Sequence, residues 1–219
     1  MNKLIRIKTA MVVFGLASAT VAVQAAVSNT GNEAAFDAST TIAYDSFFDD
    51  FGTGFGWPGN PFTRGDVTYN SEQNLTWGDE TPYTTTEPLI GDNYWTPIVG
   101  SIATGPQYSA FGFLIGNSSF WGSSTITIDI TTDLGTYVYP SLTIADSGKG
   151  QLQFEGYTAS PGEYFTGFEI IVDNGRGGAL PGITDVTLGS AGSAPDASST
   201  CWLIGMASLG LGFLRRKLV

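Results

Sequence analysis

The sequence predicts an all-β protein: a single β-sandwich, framed by an N-terminal signal-peptide helix and a C-terminal transmembrane helix. Three observations predict it. The middle of the chain is rich in Gly, Thr, Ser and aromatic residues and poor in Lys and Leu, which is the chemistry of strands and turns rather than helices. Short apolar runs recur between turn signals, several alternating with period two. Apolar stretches flanked by basic residues stand at both ends.

At the N-terminus, Lys3, Arg6 and Lys8 precede an apolar run from Ala10 to Val23, and Val23-Gln24-Ala25 supplies the compact exit that a signal peptidase reads. Cleavage after Ala25 is predicted, with residues 1–25 as the leader. The alternative, a retained anchor, fits the short apolar core less well.

Residues 26–189 are assigned to the sandwich domain. The clearest strand is 124–131, where Ile126, Ile128 and Ile130 alternate with Thr127, Asp129 and Thr131. Asp133-Leu134-Gly135 is a turn, and 136–139 begins the return strand. Further strands are expected at 40–47, 66–69, 74–77, 108–115, 151–157, 164–172 and 183–188. The run at 108–115 is apolar enough to be central. In 151–157 the alternation sets Leu152, Phe154 and Gly156 on one side, and in 183–188 it sets Thr184, Val186 and Leu188 against Ile183, Asp185 and Thr187. Turns fall at Trp57-Pro58-Gly59-Asn60, Gly91-Asp92-Asn93, Asp146-Ser147-Gly148, Ser160-Pro161-Gly162 and Asp173-Asn174-Gly175. No amphipathic helix of useful length is expected in this body, and many short punctuated strands suggest two packed sheets.

Residues 190–196 form a linker and motif, and 197–219 an apolar helix with a basic tail. From Ala197 to Leu214 the segment is 18 residues, about 27 Å as a helix. That is close to the thickness of a bilayer core, about 30 Å. Gly205, Gly210 and Gly212, and the lack of any polar face, argue against a buried soluble helix. Arg215, Arg216 and Lys217 then stay cytoplasmic, which puts the body across the membrane, where the leader also sends it.

The string Pro195-Asp196-Ala197-Ser198-Ser199-Thr200, the apolar Trp202-Leu203-Ile204-Gly205 and Leu209-Gly210-Leu211, and the Arg215-Arg216-Lys217 cluster together resemble a C-terminal sorting signal of the PEP-CTERM kind. The nearest variant is built around Val-Pro-Asp-Ser-Gly; here Ala194 precedes the proline and Ala197-Ser198 follow the aspartate. The resemblance implies an exosortase as processing partner, with transient residence in the inner membrane and release to the surface or the extracellular polysaccharide. Ala110-Phe111-Gly112-Phe113, Phe165-Thr166-Gly167-Phe168 and residues 183–189 resemble the C-terminal half of many such proteins, which implies the jelly-roll type. The partners expected are therefore signal peptidase and the general secretion machinery, an exosortase, and extracellular polysaccharide.

Composition limits the chemistry. Residues 26–194 carry 19 acidic residues against Arg64, Lys149 and Arg176, a formal charge of −16, which repels nucleic acid. There is no histidine, and Cys201, the single cysteine, lies in the apolar tail. A Ser-His-Asp triad, a thiol nucleophile, a Cys/His zinc site and a body disulfide are thereby excluded. No cofactor is expected and no enzyme is predicted. A carboxylate pair for glycan hydrolysis is the remaining catalytic reading, with Asp49, Asp50, Asp79, Glu80, Glu155 and Glu163 as its pool. Calcium is the ion the turns suit, at Asp129 with Asp133 and at Asp173 with Asn174. The stronger binding signal is aromatic: Trp57, Trp77, Tyr94, Trp95 and Trp121 sit in or beside loops, where flat faces stack on sugar rings, or alternatively close the ends of the core. Two functions compete: an exosortase-processed surface or matrix protein, and a carbohydrate-binding module.

Overall fold

The computed structural model describes residues 26–46, 48–79, 88–92, 96–117, 124–144, 152–172 and 180–192. Within them the chain runs β1 (Val27–Thr30), α1 (Glu33–Ser39), β2 (Thr40–Ser46), a 3-10 turn (Asp49–Phe51), β3 (Phe55–Gly56), β4 (Phe62–Arg64), β5 (Val67–Ser71), β6 (Leu75–Gly78) and β7 (Leu89–Asp92). It continues through β8 (Ile98–Ile102), β9 (Ala110–Asn117), β10 (Ser124–Thr132), β11 (Thr136–Ile144), β12 (Gln153–Ala159), β13 (Phe165–Val172) and β14 (Pro181–Ala191). The leader and the C-terminal helix of the sequence reading, with Pro195, Asp196, Ala197, Ser198, Cys201, Arg215, Arg216 and Lys217, lie outside the described residues. Among those described, no helix is long and apolar enough to cross a membrane.

The strands make two antiparallel sheets. One holds eight strands in the order β1-β12-β9-β14-β7-β6-β3, with β2 also bonded to β14; the other holds six, β11-β10-β13-β8-β5-β4. They pack face to face, as a two-sheet sandwich must when each sheet has one apolar face to bury. The isoleucine ladder behaves as predicted: Ile126, Ile128 and Ile130 of β10 are buried, while Asp129 lies opposite Glu169 of β13 and Val138 of β11 on the outer face. At the centre, Phe111 of β9 stacks on Phe168 of β13 across the two sheets, with ring centroids 4.9 Å apart. Opposing Gly100 leaves the space that the Phe168 ring fills; a Cβ there would collide with it.

Three expectations are corrected. A helix is present: α1, seven residues long, is capped by Asn32, whose Oδ1 accepts from the Ala35 amide at 3.0 Å. It buries only Phe36, too little for a periodic signal. That Phe36 covers the outer face of the larger sheet, against Phe154 and over Gly112 and Gly156. The phase of β12 is therefore the reverse of the simple reading: Tyr157 belongs to the main core, while Phe154 packs beneath the helix. In β14 the register shifts between Thr184 and Thr187, and Asp185 has φ 50°, so Ile183, Val186 and Leu188 all reach the core. A bulge of this kind breaks strict alternation.

The two lateral edges of the sandwich close differently. Beside β1 and β11, Tyr139 packs on Tyr157 (centroids 5.0 Å) and its hydroxyl donates to the Val27 carbonyl at 2.8 Å, tying one sheet to the other. Beside β3 and β4, the chain leaves β2 and inserts Phe48 and Phe51 between the sheets.

Candidate carbohydrate-binding corner

The β3/β4 edge is an aromatic corner built from residues close in sequence. Phe48, fully buried, contacts Phe62 of β4 and Tyr69 of β5. Phe51 stacks on Trp77 of β6 at 5.2 Å, and the Trp77 indole lies across Gly56 so closely that a Cβ there would stand 2.7 Å from Nε1. Trp77, a predicted sugar-stacking residue, is thus half-buried and serves to close the sandwich. Arg64 caps the plug, its guanidinium 5.3 Å from the Phe48 centroid and 5.6 Å from that of Phe51, and forms an ion pair with Asp50 at 2.6 Å. Cation–π contact of this kind contributes about 0.5–1 kcal/mol at exposed sites.

Outside this plug stand two exposed aromatics. Trp57 is 64% exposed and Phe55 36%. Their rings meet edge to face, 5.5 Å apart at 80°. The loop carrying them is fixed on both sides. Before Trp57, the Gly54 amide donates to Asp79 Oδ1 at 2.6 Å, with Gly54 at φ 118°; a positive φ suits glycine. After it, Asn60 donates through Nδ2 to the carbonyls of Ser71 (2.7 Å) and Gln73 (3.1 Å) and accepts from the Ser71 amide through Oδ1 (3.1 Å). A large apolar ring is thereby presented to solvent on a backbone anchored at both ends, so little ordering entropy remains to be lost on binding.

Beneath the corner, Asp92 is buried at the end of β7, takes a hydrogen bond from the Ser71 hydroxyl and accepts from the Thr96 amide at 3.1 Å. It joins the two sheets. Tyr69 has a buried hydroxyl without a partner among the described residues, and burial holds its pKa well above the usual phenol range.

The other carboxylates proposed from the sequence have structural duties. Glu163 is buried on the β11 side and accepts from the Thr132 hydroxyl (2.6 Å) and the Tyr137 hydroxyl (2.7 Å). That bond, followed by burial, pushes Tyr137 up to about 12. Glu155, also buried, accepts from Asn29 Nδ2 (3.0 Å) and Gln153 Nε2 (2.6 Å). Asp50 is paired with Arg64, and Asp79 holds the Gly54 amide. The Glu80 position lies outside the described residues.

Of the calcium candidates, Asp129 lies on the outer sheet face while Asp133 sits in the turn after β10, its Oδ1 accepting from the Tyr164 amide at 3.0 Å. Among the described residues no group of three or more acidic, cysteine or histidine side chains is placed to hold a metal ion. Asp173, Asn174, Tyr94, Trp95 and Trp121 lie outside the described residues. Phe51, Phe55 and Arg64 were missed by sequence reasoning as members of this corner. The available signal was aromatic residues interleaved with glycine, from Phe51 to Trp57, immediately before a strand.

The fold and corner define an antiparallel two-sheet β-sandwich that presents aromatic side chains at one lateral edge. No family model and no curated protein matches the chain. Among solved structures it is similar to a carbohydrate-binding module, CBM51 from Clostridium perfringens GH95 in complex with methyl-galactose. That match has 14% identity and a TM-score of 0.33 over 68% of this chain and 94% of that one. It is also similar to the M60 catalytic domain with the CBM51-1 and CBM51-2 domains of Clostridium perfringens ZmpB. There the identity is 13% and the TM-score 0.35, over 76% of this chain and 18% of that one. Any ligand for this chain is therefore argued from its own corner.

Proposed function

We propose that this chain is an exported, non-catalytic β-sandwich that binds extracellular polysaccharide through Trp57, with Phe55 as its buttress. The observation that carries the proposal is the exposure of Trp57 on a loop pinned by Asp79 and Asn60. An indole face in water costs free energy that a sugar ring relieves by covering it, while hydroxyls around the ring find acceptors on nearby carboxylates. Trp57→Ala removes the platform and leaves the plug of Phe48, Phe51 and Trp77 in place. Titration of the full chain against a panel of soluble polysaccharides is expected to show binding that falls about tenfold or more in the variant, with an unchanged melting temperature. Equal binding by the two proteins rejects the platform.

Export is the second part of the proposal, and it rests on the sequence. The leader and the sorting signal that resembles the PEP-CTERM kind deliver the domain across the inner membrane, and exosortase processing near Pro195-Asp196 releases it to the surface or matrix. The sandwich begins close behind the predicted cut: β1 starts at Val27, and the Ala26 amide donates to Ser160 Oγ at 3.0 Å. Deleting residues 195–219 is expected to change where the protein accumulates. An unchanged distribution between membrane and medium removes the sorting role.

A further inference from the structure

We infer that the Trp57 corner selects uncharged glycans and rejects polyuronates, because the one basic side chain among its described residues is already paired and its remaining charged groups are negative. This inference rests on the polysaccharide-binding reading above and names the ligand class of that same site.

Anionic polysaccharides are held by proteins chiefly through arginine and lysine. Among the described residues Arg64 is the only basic side chain; Lys149 and Arg176 lie outside them. The Arg64 guanidinium is engaged twice, with Asp50 at 2.6 Å and over the rings of Phe48 and Phe51. Its charge is already countered by Asp50, which leaves little net attraction for a uronate. The segments that build the corner, residues 48–64 and 75–79, hold Asp49, Asp50 and Asp79 against that single arginine, a formal charge of −2. Behind them stands a body of formal charge −16. Its field lowers the local concentration of any polyanion, over a distance of about 10 Å at 0.1 M salt.

The hydrogen-bonding character agrees with the charge. The ionised carboxylates of Asp50 and Asp79 accept and do not donate. Asn60, the nearest amide in the loop, has both its Nδ2 and its Oδ1 committed to the backbone at Ser71 and Gln73. Beside the indole N–H of Trp57, the carboxylates of the corner therefore offer acceptors to a ligand that donates. The hydroxyls of an uncharged pyranose donate; a uronate carboxylate accepts and would meet a like charge.

The test uses the full chain with two probes, hydroxyethylcellulose as an uncharged glucan and alginate as a polyuronate, each at low and at high salt. At low ionic strength alginate is expected to bind about tenfold more weakly than the glucan or less, a gap that narrows as salt shortens the screening length. Asp50→Asn, which frees Arg64 from its ion pair, is expected to raise alginate affinity several-fold relative to glucan affinity; an unchanged ratio of the two affinities overturns the charge selection. Alginate binding as tight as the glucan's at low salt, lost in Trp57→Ala, overturns the charge selection while the platform stands. Alginate affinity that falls on adding salt overturns it as well. Binding of neither probe nor any other soluble polysaccharide overturns the platform itself, and the selectivity with it.

Discussion

The two lateral edges of this sandwich meet the same problem with opposite chemistry. Each must cover the apolar interior where the sheets end. On the β1/β11 side the closure is polar: Tyr139 reaches the Val27 carbonyl, Tyr137 and Thr132 satisfy Glu163, and Asn29 and Gln153 satisfy Glu155. On the β3/β4 side it is a stack of Phe48, Phe51, Phe62 and Trp77 capped by Arg64. A hydrogen-bonded edge consumes its polar groups inward and leaves nothing flat outside. A ring-stacked edge makes a firm floor on which further rings, Phe55 and Trp57, can stand exposed. The difference teaches why the exposed aromatic rings stand at one edge and not the other.

That contrast can be broken most forcefully at Phe48. Phe48→Ala removes a fully buried ring from the centre of the plug, which costs about 3–5 kcal/mol. The melting temperature should fall by roughly 10 °C, and glycan binding should fall with it as the floor under Trp57 collapses. A variant that melts like the parent would show that the stack does not carry the edge.

The polar edge is probed by pH. Tyr137 titrates near 12 in the fold because of its bond to Glu163 and burial, against about 10 when unfolded. A phenol whose folded value is raised contributes stability that is complete below pH 10 and lost as pH rises toward 12. Tyr108, raised to about 12 by burial and its bond to Asp66, adds to the same window, and burial moves Tyr139 in the same direction. Unfolding free energy measured by urea titration should therefore decline between about pH 10 and 12. In Tyr137→Phe the decline should be shallower, beginning from a lower plateau because Glu163 has lost a donor. An equally steep decline would remove Tyr137 from the account.

The smallest effect sharpens the ring-stacked side. The Tyr69 hydroxyl is buried without a partner among the described residues, so Tyr69→Phe should leave the melting temperature unchanged or raise it slightly. A clear loss of stability would reveal a hydrogen bond to that hydroxyl.

Much of the sandwich was legible, and the reasons for the gaps are physical. β10 could be read because one face is core and the other is water, so Ile and Thr alternate. β12 was read in reverse because Phe36 covers its second face, which makes Phe154 as apolar as Tyr157. β8 alternates Ile98, Gly100 and Ile102 with Val99 and Ser101, yet Gly100 reads as a breaker until the Phe168 ring is seen to need its space. β7 is buried along its whole length and carries no period at all. At the binding corner, Trp57 was marked by its loop chemistry, whereas nothing local distinguished it from Trp77; only the ring of Phe51 and the backbone at Gly56 decide that one faces inward.

By itself the sequence determined the class of the protein: all-β, acidic, and without histidine or a thiol in its body. Those properties are sums over residues or local patterns, and they do not depend on which strands meet. The tertiary structure decided which aromatic is covered and which stands in water, and that Arg64 is already taken by Asp50 and two phenyl rings. Exposure and pairing are relations between distant segments, set by how β3, β4 and β6 pack around the inserted Phe48, and no window of sequence contains them.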